Sequence, residues 1–184
     1  MKFEERTKMS KSGKAIRLAP LASENAQMVL DTMVQIASTS PYILRTAEDF
    51  AKMSIEEEIK WIENANDNPR GFRIGAFDGE KLIGLLDFGA YKNPKMSHRG
   101  SIGVSLHHDY RGDGIGTIMF EALFEIVKLI PDIVTLELTV MGDNIFARKL
   151  YTKMGFVEIG INPNAFKLGD SLFCDDIKMI KNLI

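Results

Sequence analysis

An α/β fold with a sheet of mixed strand direction is what the sequence predicts. Three observations carry that expectation. Antiparallel hairpin signals sit beside strand–helix–strand units, helical and strand periods alternate along most of the chain, and the composition is globular. Of 184 residues, 45% are hydrophobic and 26% charged, a balance that argues against disorder and is enough for one sizeable core. Lys2 to Lys14 is polar and without pattern, so residues 1–13 read as a flexible leader and 14–184 as a single domain.

The elements follow in order. Ala15 to Leu18 reads as a short strand ending at Pro20. From Ser23 to Ile36 apolar residues recur at helical spacing, with Ser23 or Asn25 as cap. A second helix is predicted from Ser54 to Ala65, where Ser54 and Glu57 form a capping box and Ile55, Ile59 and Ile62 an apolar stripe. The turn-rich run Asn66 to Gly71 precedes two strands, Phe72–Phe77 and Lys81–Phe88, joined through Asp78-Gly79. Ser101–Leu106 is a further strand, and Gly114–Ile130 the longest helix, closed by Pro131. Val134–Met141 alternates as a strand, Asn144–Met154 is a helix stopped by Gly155, and strands follow around Phe156–Ile161 and Ser171–Met179.

Charge and cysteine usage narrow the function classes. A net charge of −2 argues against a duplex-binding protein, which needs a basic face to displace counterions. The lone Cys174 ties the chain to no oxidising compartment. No apolar run approaches the ~20 residues of a membrane helix, and the N-terminal stretch lacks the apolar core of a signal peptide. The cytoplasm is the expected location, with neither nucleic acid nor membrane as partner.

The sharpest local signal is Arg111-Gly112-Asp113-Gly114-Ile115-Gly116, between a strand and a long helix. Glycines let backbone N–H groups turn toward an anion, and a helix N-terminus adds its dipole. A pyrophosphate suits such a loop. A dinucleotide fingerprint would need a third glycine where Thr117 stands, and a P-loop would need a lysine after Gly116. A third form, Arg/Gln-x-x-Gly-x-Gly/Ala, is matched by Arg111, Gly114 and Gly116.

That third form is the pyrophosphate loop of the GNAT (GCN5-related) N-acetyltransferases. The stretch IGVSLHHDYRGDGIG resembles the family's strand–loop–helix signature, and DNIFARKLYTKMGF, one strand later, resembles its second. The resemblance runs from Leu82 to Ile161 and takes in the N-terminal helices only in outline. It implies the GNAT fold: a mixed, mainly antiparallel sheet of about seven strands, flanked by helices, whose fourth and fifth strands splay to admit the cofactor. It also implies acetyl-CoA as cosubstrate and direct attack on its thioester by a primary amine. That amine would be a peptide N-terminus, a lysine, a polyamine or a small molecule. No metal is implied, and an exposed sheet edge could support a homodimer.

Roles carry over by position. Val104, Ser105 and Leu106 would pair with the pantetheine arm, and the N–H groups of Arg111, Gly112, Asp113, Gly114, Ile115, Gly116 and Thr117 would hold the pyrophosphate. Asn144 would bind the cofactor arm, and Tyr151 would sit near the sulfur as general acid. A departing thiolate has a pKa of ~8.5 and a phenol one near ~10, so the phenol is protonated and ready to donate at neutral pH. Read without the family, Asn144 is a helix N-cap and Tyr151 a packed aromatic; their spacing of seven puts them on one helix face. Arg148 and Lys149 would reach the nucleotide phosphates or simply face solvent.

The general base is where the sequence departs from some relatives. Enzymes of the family acting on ribosomal proteins often carry Glu in mid-strand before the Asn, where this chain has Thr139. Glu137 lies two residues earlier on the same sheet face, either a base acting through water or an exposed strand-end carboxylate. His107 and His108, if extended, face opposite ways, and Glu56, Glu57 and Glu58 read as a solvated helix face. Glu48, Asp49 or these glutamates could still attract a cationic amine. Two other classes stay open: a non-catalytic acyl-CoA sensor, and a nucleotide-binding protein using the glycine loop for another phosphate.

Overall fold

The computed structural model describes residues 1–184. Eight strands and five α-helices are formed, one strand more than anticipated. The additional strand is β1 (Arg6–Met9), which pairs antiparallel with β2 (Ala15–Pro20). This corrects the expectation of a flexible leader over those residues. The strand is polar because it lies at a sheet edge, where backbone pairing holds it and its side chains stay exposed. After β2, a 3-10 turn at Ser23–Asn25 leads into α1 (Ala26–Thr39), then α2 (Ala47–Ala51) and α3 (Ile55–Asn66). The remaining elements are β3 (Gly71–Asp78), β4 (Lys81–Ala90), β5 (Arg99–Leu106), α4 (Ile115–Val127), β6 (Thr135–Met141), α5 (Ile145–Lys153), β7 (Val157–Lys167) and β8 (Phe173–Asn182).

The chain packs as two compact units. The first comprises residues 1–89 and 103–130. Its strands run in the order β1-β2-β3-β4 and on to the C-terminal half of β5. Helices cover both faces of this sheet. Leu85 joins a buried cluster with Val29 of α1 and Ile62 of α3, whereas the neighbouring Gly84 faces Met119 of α4, whose Cε is 3.5 Å from a Cβ built there. The capping box of α3 forms as expected, Ser54 Oγ accepting from Glu57 N at 3.2 Å. Its buried stripe is rotated from the predicted one: Glu58, Ile62 and Ala65 turn inward while Ile55 is exposed.

A bulge in the β3–β4 hairpin decides which residues share a face. The turn pairs Asp78 with Lys81 and Phe77 with Leu82, so Gly79-Glu80 are its tip. The register then shifts, and Ala76 pairs with Gly84. Because side chains alternate, the extra residue Ile83 turns every later β4 side chain over. Arg73 consequently stands opposite Asp87, on the same face, where an unbulged hairpin would have set Leu86.

The second unit comprises residues 90–102 and 131–184, with strands in the order β5-β6-β8-β7. The β5–β6 ladder is parallel and pairs Arg99, Gly100 and Ser101 with Thr135, Leu136 and Glu137. These are the two strands expected to part. Beyond that ladder β5 continues to Leu106 and β6 to Met141. The unit's core gathers Leu136, Phe156 and Met179, none more than 1% exposed, while β7 is exposed almost throughout.

Candidate active site

The glycine loop is built by backbone geometry. Gly112 and Gly114 have φ of +82° and +83°, a left-handed conformation that costs a residue with a Cβ. Gly114 caps α4. The N–H of Arg111 is taken by His108 O at 3.1 Å, and Arg111 Nε donates to Leu106 O at 3.2 Å. Arg111 therefore closes the turn, which corrects its place among the expected anion donors. The N–H groups of Gly112, Asp113 and Gly114 find no acceptor within the protein, and those of Ile115, Gly116 and Thr117 open a helix, where N–H groups point outward. These residues fit a pyrophosphate.

Asp113 points away from that cradle. Its carboxylate accepts from Ser12 N and Ser12 Oγ, both at 2.7 Å, and its carbonyl accepts from Lys11 N at 3.0 Å. The hydrogen bonds from Ser12 and Ser10 hold its pKa below the usual carboxylate range. The β1–β2 turn is thus tied to the loop, and Lys11 lies along Gly114, its Cγ 3.2 Å from a Cβ built there.

In the second unit, Asn144 caps α5, its Oδ1 accepting from Ala147 N at 3.2 Å. Tyr151 is buried one face along, against Phe156. Burial alone pushes its phenol up to about 12, so it stays protonated at any physiological pH. Arg148 donates to Glu158 and to Gly142 O, whereas Lys149 is exposed.

Glu137 is no exposed strand end. Only 3% of its side chain is exposed, and its Oε2 lies 2.8 Å from both Arg99 and Lys178. Burial would raise its pKa, but hydrogen bonds from Lys178 and Tyr91 and the charges of Lys178 and Arg99 outweigh this and leave it below its ordinary value. A carboxylate so committed is a weak proton acceptor, which corrects its candidacy as general base. His107 and His108 also differ from expectation. A 3-10 turn begins at His108, so the two rings stack with centroids 4.6 Å apart instead of facing opposite ways.

A cavity of about 250 Å³ opens in the first unit. Gly103, Val104 and Ser105 of β5 form one side, Trp61 and Leu85 supply apolar wall, and Arg45, Glu58 and Asp87 are its charged groups. Glu58, 4% exposed, is not part of a solvated face. Burial raises its pKa against the opposing charges of Arg73 and Arg45. Asp87 is raised too, by burial first, with Arg73 opposing. Neither carboxylate belongs to an ion pair. Arg73 lies over Trp61, its Cζ 3.6 Å from the ring centroid, with its Nε buried and unpartnered.

The same strand therefore joins two features. β5 ends beside the glycine loop through the Arg111–Leu106 bond, and its residues 103–105 line the charged cavity. Comparison with known proteins bears on this arrangement. The model of the Acetyltransferase (GNAT) family matches residues 30–156, more than half of the chain. This protein belongs to the GNAT family.

Other known proteins are similar over different extents. A 98-residue stretch, 52% of this chain, is 28% identical to the L-amino acid N-acetyltransferase AaaT of Escherichia coli (strain K12). The match spans 59% of that relative's length. An acetyltransferase of the GNAT family from Streptococcus pneumoniae superposes with a TM-score of 0.86 at 19% identity, covering 91% of this chain and 99% of that one. The yncA structure from Salmonella typhimurium, solved with its cofactor acetyl-CoA, gives 0.78 at 13% identity, covering 92% and 94%. The GNAT fold is thereby shared. What the sequence reading missed in this GNAT chain is Asp87 and Arg73. Each was legible as a lone charge inside an apolar strand run, Leu85-Leu86-Asp87-Phe88 and Phe72-Arg73-Ile74.

Proposed function

We propose that this protein is an acetyl-CoA-dependent N-acetyltransferase whose acceptor is a small primary amine that also carries an anionic group. One observation carries the reading: β5 links the unpaired N–H groups of Gly112, Asp113 and Gly114 to a cavity holding two carboxylates without ion-pair partners. Acetyl-CoA supplies an activated acetyl thioester. Gly112 to Thr117 would hold its pyrophosphate, and Val104, Ser105 and Leu106 would pair with the arm, so that the acetyl end lies along β5 toward the cavity. Glu58 and Asp87 complement an ammonium group, and Arg45 complements an acid on the same molecule. About 250 Å³ is small for a ligand site, which favours a compact acceptor over a long peptide. AaaT, by its name an L-amino acid N-acetyltransferase, points the same way.

In this reading the neutral amine attacks the thioester carbonyl, a β5 backbone N–H steadies the oxyanion, and Tyr151 donates a proton to the departing sulfur. The chain, β1 included, acts as one catalytic domain in the cytoplasm, without nucleic-acid or membrane partners. No helix is long and apolar enough to cross a membrane. The exposed β7 edge could support a homodimer. The test is thiol release from acetyl-CoA over a panel of L-amino acids, their decarboxylated amines, a polyamine and a short peptide, beside calorimetry of the cofactor. Turnover with amino acids and little with the decarboxylated amines is expected. Cofactor binding without turnover would favour the sensor, and no cofactor binding would sink both.

A further inference from the structure

We infer that Asp87 is the group that takes the proton from the acceptor amine, and that Gly103 is glycine so that the Asp87 carboxylate can lie on the strand beside the reacting thioester. The inference rests on the proposed acetyl transfer and adds the base that the sequence reading placed at Glu137.

The geometry is specific to these two positions. A Cβ built on Gly103 would lie 2.4 Å from Asp87 Oδ1, 3.1 Å from its Cγ and 3.4 Å from Oδ2. The carboxylate therefore occupies the space above β5 where any other residue would put its side chain. The bulge at Ile83 is what turns Asp87 to this face, opposite Arg73. Arg73 is drawn aside onto Trp61 and forms no ion pair with Asp87, whose carboxylate accepts from its own backbone N–H and borders the cavity. The charged groups facing Asp87 are Arg73 from β3, Glu58 from α3 and Arg45 ahead of α2; Gly103, Val104 and Ser105 of β5 bring none. Burial raises the Asp87 pKa and so makes it a stronger base than an ordinary carboxylate. Glu58 is also raised but reaches the cavity from the helix side, as a group that positions the ammonium.

The step balances without another reactant. Asp87 accepts one proton from the ammonium, the freed nitrogen lone pair forms the N–C bond as the carbonyl opens to the oxyanion, and the carbonyl re-forms as the C–S bond breaks. A second proton leaves nitrogen as the amide forms and replaces the one given to sulfur. Asp87 then releases its proton to solvent, and the sum is amide, thiol and one proton.

The test uses the full chain with one accepted amine. Asp87→Asn should lower kcat by ~100-fold to ~10,000-fold with acetyl-CoA affinity, read by calorimetry, unchanged. The acid limb of its pH–rate profile should vanish, because that limb reports the protonation of Asp87. Glu58→Gln should raise KM and keep the limb. Gly103→Ala, which displaces the carboxylate, should reproduce the kcat loss and serves as the second variant should Asp87→Asn fail to fold. Retention of the acid limb in Asp87→Asn, or its loss in Glu58→Gln instead, would overturn the assignment. A wild type that acetylates no amine would bring down the proposed activity and the base with it. An active wild type matched by Asp87→Asn would bring down the base alone.

Discussion

Replacing Glu137 by Gln separates a stitch in the sheet from a step in catalysis. The carboxylate of Glu137, on β6, receives Arg99 from β5 and Lys178 from β8, each at 2.8 Å. It ties three adjacent strands. Breaking a fully buried pair typically costs about 3–5 kcal/mol. Here the cations are 29% and 45% exposed and can rehydrate, and exposed pairs contribute only about 0–1 kcal/mol. An intermediate loss of roughly 2 kcal/mol follows, or about 4–8 °C in Tm for a domain of this size. The pH dependence has a definite sign. The folded-state pKa is depressed, so the stabilisation is full above the unfolded carboxyl value of about 4.3 and disappears as pH falls through the folded value. Thermal melts followed by circular dichroism between about pH 3.5 and 8 should show a gap between wild type and Glu137→Gln near neutrality that closes in acid. Turnover below the melting range should persist. Superimposable melts at neutral pH would refute the stitch. A loss of turnover recovered at alkaline pH would return the base to Glu137.

Two further substitutions test the remaining parts of the site. Tyr151→Phe removes only the hydroxyl from a buried ring, so turnover should fall by ~100-fold to ~10,000-fold while calorimetric acetyl-CoA affinity stays constant; a variant keeping more than about a third of wild-type turnover would make Tyr151 structural. Gly114→Val places a branched side chain at a φ of +83° and against Lys11, so acetyl-CoA binding should be abolished with the fold retained, and an unchanged affinity would refute the phosphate cradle.

The parts legible in the sequence are those whose physics is local. Ser54 caps α3 because a hydroxyl and a glutamate three residues apart satisfy two backbone donors reciprocally. The glycine loop announces itself because positive φ selects glycine. β1 was illegible for the opposite reason: it is held by ladder bonds to β2, which side chains do not encode. α2 spans five residues, Ala47–Ala51, too few to show a period. Asp87 is legible as a lone charge, but the bulge hides its face, since alternation counted from the turn assigns it to the other side of β4. Glu137 looked like a strand end because the cations that bury it lie 38 residues before it and, on β8, far after it in the chain.

The bonds that Asp113 accepts from Ser12 and Lys11 have a practical consequence for anyone preparing the protein. A boundary drawn at residue 14, where the sequence pattern begins, would be the natural place to trim a protein for crystallisation or screening. Such a cut would take away both partners of Asp113 and the Lys11 stem that roofs Gly114, leaving the Asp113 carboxylate unpaired beside the site proposed for a pyrophosphate. The shortened protein would keep every motif and still be a poorer receptor for its cosubstrate, so inhibitors ranked on it would be ranked against a different pocket.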